Sequence, residues 1–400
     1  MIKAGPRLSA LGRTATRSIH SIPPESGRRV PRHKRTALAT TAIGATGGEA
    51  PRRTVLGRMP PAHIVGWGLR GKVQSALERI IDAVAPELLA IAISAMRQHK
   101  AVLGVYPNLL RPRTFNEKVL HRMLFDRRPI LRTVEDNSVR DYVKRRIGEH
   151  VLPRLYWVTK RAADIPFHAL PDRYVVKATH GCGWNYFVRG DAPVDRQDLI
   201  RTCTTWLKSN YYTRTREWAY KHMEPRIIVE EFISDGTGVA PTDYKFYVFD
   251  GRVHMIEVDR GRFVDQGRAD YGRSWDRWDM VTQIKPLGDV ARPPHLDEMI
   301  HYAEALGAGL DYVRVDLYDA GKVYFGEMCV YPRGGTETVL PAMWDRYLDE
   351  LWDLSPRSAR FAASNMRRLE TVRDDVARRR IDSDPFDGAR RLLPDGPGRT

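Results

Sequence analysis

The amino-acid sequence predicts an α+β fold in which antiparallel sheets follow a helical N-terminal segment. Two stretches, 243–258 and 312–332, each place a turn sequence between apolar runs that are rich in β-branched and aromatic residues, a pattern typical of a β-hairpin. Apolar residues at helical spacing predict helices within 62–100 and at 296–306. These hairpins and helices together define the expected fold class.

The positive charge of the chain is concentrated at its two ends. The formal net charge is +16, of which residues 1–60 contribute +10 (12 Lys or Arg, 2 Glu) and residues 356–400 contribute +4 (11 Arg, 7 acids), which leaves +2 for residues 61–355. A nearly neutral central part argues against nucleic acid as a partner. The three cysteines form no CxxC pair, so we expect neither a disulfide framework nor a zinc site.

Composition also sets the expected domain boundaries. Residues 1–60 are rich in Gly, Pro, Ser, Thr and Arg and lack apolar periodicity. We expect a disordered basic tail or a start codon placed too far upstream, although this composition also resembles a transit peptide. Residues 61–150 are expected to form an N-terminal helical region and 151–355 the main domain. Residues 356–400 are expected to hold an Arg-rich helix and a second disordered tail.

The elements between the tails follow in a definite order. Residues 106–118 predict a loop that leads into a helix capped by Thr114 or Asn116. The patterns further along predict a helix at 139–147, a strand, Gly-containing loop and strand at 173–188, a helix at 199–211 and a strand at 226–233. In the hairpin that follows, Asp250-Gly251 predicts a type I′ turn.

The hairpin at 312–332 contains the acids that define the site hypothesis. If its strands pair from the ends of the Asp-Ala-Gly-Lys turn, Asp316 faces Phe325 and Arg314 faces Glu327. Side chains alternate faces along a strand, so Arg314 and both acids share one face, with the acids as diagonal neighbours roughly 7–8 Å apart. Two such carboxylates predict an Mg²⁺ site. The alternative is an exposed hairpin in which Arg314 and Glu327 make a cross-strand ion pair.

Lys177 is the first candidate contact for a phosphate group. It follows the apolar run 174–176 and precedes a loop that contains Gly181 and Gly183. A lysine in this place can reach phosphate oxygens, and glycines let loop amides approach them closely. The alternative is a surface lysine beside a turn.

Two pairs of charged residues follow on later strands. Glu230 and Glu231 end an apolar strand, where a carboxylate can accept a hydrogen bond from a ribose hydroxyl or an amine, although such a pair alone has little specificity. Asp243 and Lys245 share one face of the next strand. They could equally form a simple ion pair.

The order of these segments resembles the ATP-grasp superfamily, and more closely its TupA-like (teichuronopeptide-biosynthesis) family. The motifs that produce the resemblance are TFNEK (114–118), LPDRYVVKATHGCGWN (170–185), DYKFYVFDG (243–251), VRVDLY (313–318) and YFGE (324–327). The resemblance spans about residues 106–353. It implies an ATP-grasp fold, in which two α+β lobes with antiparallel sheets enclose a nucleotide, with lobes at 151–233 and 234–355.

The resemblance also implies ATP and Mg²⁺ as cofactors and a role for each candidate residue. Arg314 and Lys245 are the implied catalytic residues, and Asp316 and Glu327 are the implied metal ligands. The implied ATP-binding residues lie at the phosphates, the adenine or the ribose: Lys177, Gly181, Gly183, Glu230, Glu231, Ile233 and Asp243.

Two positions depart from the family pattern. Cys329 stands where many ATP-grasp enzymes have Asn, and a soft thiol is a poor Mg²⁺ ligand. Asp136-Asn137 stands where the family has Asp-Lys, with Lys144 as a candidate substitute for that lysine.

The resemblance implies an ATP-dependent carboxylate–amine ligase that works through an acyl-phosphate, in cell-surface polysaccharide, capsule or teichuronopeptide-type synthesis. Its substrates would be small-molecule or glycan carboxylates and amines, and membrane-associated assembly machinery would be a further partner. We expect a cytoplasmic protein, peripheral at the inner membrane face. The alternatives are an ATP-grasp kinase acting on a sugar or small molecule, a glycosyltransferase-like protein, and a non-catalytic nucleotide-binding or scaffold protein.

Overall fold

The structure is a computed structural model that describes residues 86–135, 138–236, 240–261 and 265–354. The two expected tails, the first part of the expected helical region and the Asp136-Asn137 pair lie outside the described residues. Among the helices that the structure describes, none is long and apolar enough to cross a membrane.

In the described part of the chain, four helices precede the sheets. They are α1 (Glu87–Leu103), α2 (Phe115–Phe125), α3 (Pro129–Glu135) and α4 (Val139–Ile147). The Thr114 hydroxyl accepts a hydrogen bond from the Glu117 backbone N–H at 3.2 Å and caps α2, so the expected cap is confirmed. The bounds of α4 match the sequence prediction.

The first sheet contains four antiparallel strands. These are β1 (Leu155–Thr159), β2 (Tyr174–Ala178), β3 (Asn185–Val188) and β4 (Ile227–Glu231), in the order β1-β4-β2-β3. Helices α5 (Arg196–Leu207) and α6 (Tyr212–Thr215) connect β3 to β4. The helix expected at 199–211 begins earlier, because Asp195 caps its start by accepting a hydrogen bond from the Asp198 backbone N–H. It also ends earlier, at Leu207.

The two faces of the first sheet have different neighbours. Tyr174, Val176 and Val229 belong to one core cluster together with Leu199 of α5. The intervening residues point the other way, so Val175, Lys177, Ile228 and Glu230 share the opposite face. This alternation directs Lys177 and Glu230 away from the core.

The second sheet contains six strands in the order β10-β9-β5-β6-β7-β8. They are β5 (Asp243–Phe249), β6 (Arg252–Arg260), β7 (Gly267–Gly272), β8 (Lys285–Pro286), β9 (Tyr312–Asp319) and β10 (Val323–Cys329). Helix α7 (Leu296–Gly307) lies between β8 and β9 along the chain. A 3₁₀ turn at Pro332–Gly335 and helix α8 (Ala342–Leu351) follow β10. Among the strands of this sheet that the structure describes, only β7 and β8 pair in parallel. Asp250 and Gly251 both have positive φ, 46° and 76°, which confirms the type I′ turn.

One face of the second sheet is apolar and packs against α7. Phe246, Val248, Val313, Val315 and Leu317 are fully buried there, with each β5 residue paired to a β9 residue. The close approach of α7 depends on Gly307, since a Cβ at that position would lie 2.5 Å from a methyl group of Val248.

The other face of the second sheet is divided into an aromatic end and a charged end. The Phe115 ring of α2 lies 5.2 Å from the Tyr312 ring and 6.1 Å from the Tyr247 ring, and covers the aromatic end. Lys245 and Asp243 lie at the charged end, two and four residues before Tyr247 on the same face. The fold therefore gathers charge on one half of one sheet face.

Candidate active site

The register of the β9–β10 hairpin differs from the prediction. Asp316 pairs directly with Glu327 rather than with Phe325, and Arg314 pairs with Cys329. The predicted pairs, Asp316–Phe325 and Arg314–Glu327, are therefore wrong. The two acids are direct cross-strand neighbours and not diagonal ones.

A β-bulge at Gly326 places both acids on one face. Phe325 pairs with Leu317, so without an extra residue Glu327 would lie opposite Val315 and point with it into the core. A Cβ at the bulge would lie only 3.0 Å from a carbonyl oxygen of β9, which favours glycine there. The predicted shared face is confirmed, and the bulge is its structural cause.

Arg314 connects the two acids. Its Nε and Nη2 donate to Asp316 at 2.7 Å, and its Nη2 also donates to Glu327 at 2.9 Å. The Asp316 side chain is 1% exposed, whereas that of Glu327 is 41% exposed. The alternative of an exposed Arg–Glu pair therefore describes only half of the arrangement, because the same guanidinium holds a buried aspartate.

Lys245 holds Asp316 from the other side. Its ammonium donates to Asp316 at 2.7 Å and also to Asp243, and it is itself buried. Arg314 and Lys245 keep the pKa of Asp316 well below its usual range. Asp316 is therefore an anion held by two cations, and the expected Asp243–Lys245 ion pair is one part of this network.

Across the cleft, Lys177 lies beside Glu230. Its ammonium pairs with one Glu230 oxygen, and Arg140 of α4 approaches the other at 3.5 Å. Both cations line the cleft between the sheets, whereas Lys144 pairs with the exposed Glu149 and does not line it. Arg140 is thus the cation that α4 contributes to the cleft, and no sequence signal distinguished it from its neighbours.

Eight of the eleven candidate residues line this cleft, and three lie just behind its wall. The eight are Lys177, Gly181, Gly183, Glu230, Glu231, Ile233, Asp243 and Glu327. The other three, Lys245, Arg314 and Asp316, are buried and reach the cleft through their ion pairs with Asp243 and Glu327. The structure thus places these eleven residues in, or directly behind the wall of, one cleft between the two sheets.

Individual lining residues have further structural tasks. Gly181 makes room for a ring, since a Cβ there would lie 2.6 Å from Trp184, and Gly183 has φ +74°. Glu231 accepts a hydrogen bond from the Arg154 backbone N–H at 3.0 Å and another from the Tyr324 hydroxyl of β10 at 3.4 Å. Glu231 thereby links the two sheets at the edge of the cleft.

A second charge cluster extends the same sheet face beyond the cleft. Arg268 of β7 contacts Glu257 at 3.3 Å and Asp270 at 2.9 Å, and it also pairs with Glu337. Arg333 contacts Glu337 at 2.8 Å. Burial and the neighbouring charge of Glu257 raise the pKa of Asp259 to about 7.

Asn116 of the TFNEK motif holds this second cluster in place. Its amide donates to the Glu337 carbonyl at 2.7 Å and accepts from the Glu337 N–H at 3.0 Å. The motif thus fixes the loop after β10 instead of contacting the cleft directly. Sequence reasoning treated Asn116 only as a possible helix cap and missed this role.

The Asp316–Glu327 pair fits a hard divalent cation in charge and donor type. Burial raises the pKa of the Cys329 thiol, so this side chain adds no anionic ligand. Within the described ranges, no group of three or more His, Cys, Asp or Glu side chains is placed to hold a metal ion. The candidates in the described part of the chain are therefore two carboxylates, of which Glu327 faces the cleft and Asp316 is held by Arg314 and Lys245. Water and phosphate oxygens would complete the coordination, as is usual for Mg²⁺.

A family model described as TupA-like ATPgrasp matches residues 117–352, more than half of the 400 residues. The chain belongs to the TupA-like ATP-grasp family. This assignment confirms the expected family and its α+β ATP-grasp fold. No curated protein matches the chain in sequence.

Solved structures that resemble this TupA-like chain include ATP-grasp ligases at low identity. A D-alanine–D-alanine ligase from Bacillus anthracis, complexed with ATP, has 18% identity and a TM-score of 0.31, with 50% of this chain and 57% of that chain covered. The ATP-grasp ligase PsnB with its minimal precursor has 13% identity and a TM-score of 0.30, with 58% of this chain and 60% of that chain covered. An L-amino acid ligase from Bacillus licheniformis has 18% identity and a TM-score of 0.29, with 50% of this chain and 40% of that chain covered. The TupA-like chain spans less than two thirds of each of these proteins.

Proposed function

We propose that this TupA-like protein is an ATP-dependent carboxylate–amine ligase that works through an acyl-phosphate. The observation that supports it most is the shared face of Arg314, Asp316 and Glu327 on one sheet, across a cleft from Lys177 on the other. Such a cleft can hold a polyphosphate between the cationic side chains and an Mg²⁺ ion bound by Asp316 and Glu327. Ligases that resemble the chain were solved with ATP, or with Mg and ADP.

In this proposal the first sheet and its loops bind the nucleotide. Lys177 contacts phosphate oxygens, and the backbone amides around Gly181 and Gly183 cover them. Glu230, Glu231 and Ile233 meet the adenine, and Asp243 lies at or near the ribose. Lys177 and Arg140 exchange part of their pairing with Glu230 for the phosphates.

The second sheet supplies the reacting centre. Asp316 and Glu327 would hold Mg²⁺, which neutralises phosphate charge when bound. Arg314 and Lys245, both buried beside Asp316, stabilise the negative charge that develops as the substrate carboxylate attacks the γ-phosphate. Because these cations are held by the sheet before substrate binds, little reorganisation is needed during the reaction.

The cellular context is the finer part of the proposal. We propose a role in the synthesis of a cell-surface polysaccharide, capsule or teichuronopeptide, with small or glycan-borne carboxylates and amines as substrates. Cytoplasmic ATP would supply the reaction. The basic composition of residues 1–60 would favour peripheral attachment to an anionic membrane surface near assembly machinery.

Hydroxylamine trapping tests the proposed reaction type. An acyl-phosphate is electrophilic at carbon, so the protein with ATP, Mg²⁺, hydroxylamine and a panel of uronic and amino acids should form a hydroxamate, with ADP and phosphate released in equal amounts. A phosphate ester does not react with hydroxylamine. A stable phosphorylated product without hydroxamate or free phosphate would instead identify a kinase and contradict the proposal.

A further inference from the structure

Two glutamates beside the reacting centre have no place in the scheme above. Glu135, the last residue of α3, lines the cleft together with Glu327. Its carboxylate accepts hydrogen bonds from the Val330 backbone N–H at 2.7 Å and from the Tyr220 hydroxyl at 2.5 Å. Glu135 is therefore held firmly at the junction between the helical region, the first sheet and the end of β10.

Glu217 is the second of these glutamates, and it is largely buried. It is 9% exposed, and no side chain or backbone group in the described part of the chain pairs with its carboxylate. One carboxylate oxygen faces the Pro332–Gly335 turn, where a Cβ added to Gly334 would lie 3.9 Å away. Gly334 has φ +58°, so the turn presents no side chain to this oxygen.

Most of the titratable groups that act on Glu217 are acidic. Glu135 and Glu327 both raise the pKa of Glu217, to which burial makes the largest contribution, whereas Arg214 lowers it from a distance. Burial likewise raises the pKa of Glu135, to about 7. An unpaired buried carboxylate is costly, so a site that keeps one beside a second acid is suited to a cationic ligand.

The cation that suits this junction is organic rather than metallic. Within the residues that the structure describes, no cluster of three or more potential ligands is placed to hold a metal, and Glu135 already uses both oxygens as hydrogen-bond acceptors. An ammonium group carries three donors in a compact charge. It can approach the Glu217 carboxylate and be attracted by that of Glu135, and it does not need the complete set of ligands that a metal ion requires.

We propose that Glu217 and Glu135 form the subsite that binds the ammonium group of the amine substrate. This inference rests on the proposed ligase function and assigns its second substrate. The subsite adjoins Glu327, which Arg314 contacts at 2.9 Å, so a bound amine lies next to the place where the carboxylate is activated. The Pro332–Gly335 turn forms one wall of the subsite and Tyr220 another.

Equilibrium binding to the full chain saturated with ADP and Mg²⁺ tests this subsite. The probes are glycinamide, alaninamide and glutamic acid α-amide, each compared with its 2-hydroxy analogue, which has a similar shape but no ammonium group. At least one amide should bind the wild-type protein 10-fold or more tightly than its hydroxy analogue. The Glu217→Gln variant should lose this preference, and Glu135→Gln should reduce it.

Glu149→Gln, which changes an exposed glutamate paired with Lys144, is the matched control and should keep the preference. The inference is overturned if no amide is preferred by the wild-type protein, or if Glu217→Gln and Glu135→Gln both retain the preference. Failure of the ligase proposal has a different signature, because it shows in the wild-type protein as absence of hydroxamate. A ligase that forms hydroxamate but shows no ammonium preference would refute the subsite alone.

Discussion

At the scale of single residues, the two proposed metal ligands have different surroundings and so different expected mutant effects. Asp316 is fully buried between Arg314 and Lys245, and its loss would leave two buried cations without their anion. Glu327 is 41% exposed at the side chain and faces the cleft. Only Glu327 therefore permits a test of metal binding that leaves the fold undisturbed.

Asp316→Asn should lower the free energy of unfolding by about 3–5 kcal/mol, the usual effect of breaking a buried ion pair on one side. Glu327→Gln should lower it by less than about 1 kcal/mol, since exposed pairs contribute little. Urea denaturation of both variants measures the difference. Equal stability of the two variants would show that Asp316 is not the anchor of Arg314 and Lys245.

The stability effect of Asp316 should also depend on pH. Its pKa is lower in the folded protein than its ordinary value of 3.8, so its contribution is fully present above that value and disappears as pH falls through the folded pKa. The stability gap between wild type and Asp316→Asn should therefore be constant from pH 5 to 7 and narrow below about pH 4. A gap that widens on acidification would contradict this assignment.

Glu217 should behave in the opposite way. Its folded pKa is raised above the ordinary value of 4.5, so the wild-type protein loses stability relative to Glu217→Gln as pH rises above 4.5, until the folded pKa is passed. Glu217→Gln should therefore be more stable than wild type at pH 7 and closer to it at pH 5. A variant less stable than wild type at pH 7 would indicate a structural partner for this carboxylate.

At the scale of elements, the site depends on two features that the sequence only partly indicates. One is the β-bulge at Gly326, and the other is the pair of hydrogen bonds between Asn116 and the Glu337 backbone, the Asn116–Glu337 clamp. The apolar alternation of β9 and β10 predicts the hairpin and the face shared by Arg314 and Asp316. The bulge at Gly326 changes the register by one residue. A glycine inside a strand pattern is a signal for a bulge, and with that signal the direct Asp316–Glu327 pairing could have been predicted.

Other features could not be read from local sequence because they depend on distant contacts. The Asn116–Glu337 clamp joins residues 221 positions apart. Arg140 resembles the other arginines of its helix until the fold places it against Glu230. Glu135 lines the cleft with Glu327, and Glu217 is buried, only once these elements have packed. Strands, turns and caps follow from local patterns, whereas these roles arise only when separate elements pack together.

The clamp gives a prediction at this scale. Asn116→Ala removes two buried hydrogen bonds to the Glu337 backbone. Each such bond contributes roughly 0.5–1.5 kcal/mol, and the backbone groups left unpaired add a further penalty, so the variant should lower the free energy of unfolding by about 2–3 kcal/mol. Asn108→Ala, which removes one exposed bond to the Arg111 N–H, is the control. Thermal or urea unfolding of both variants gives the comparison, and similar stability losses would contradict the clamp.

At the scale of the whole molecule, the central feature is one cleft with its lining drawn from both sheets. Lys177 and Glu230 come from the first sheet and Asp243 and Glu327 from the second, and Glu231 links the sheets through Tyr324. A ligand that contacts both walls stabilises the whole folded unit, because it binds only when the walls are assembled. Nucleotide binding should therefore raise the stability of the folded protein, and the Mg²⁺ site proposed at Asp316 and Glu327 should contribute to that gain.

The most direct test of this account is calorimetric titration of a non-hydrolysable ATP analogue, with and without Mg²⁺, into wild type, Glu327→Gln and the Glu149→Gln control. We expect wild type and the control to bind at least 10-fold more tightly with Mg²⁺ than without it. Glu327→Gln should lose most of that gain while remaining folded. Binding by wild type that is independent of Mg²⁺, or an unchanged Mg²⁺ effect in Glu327→Gln, would contradict the assignment of this cleft as an ATP·Mg²⁺ site.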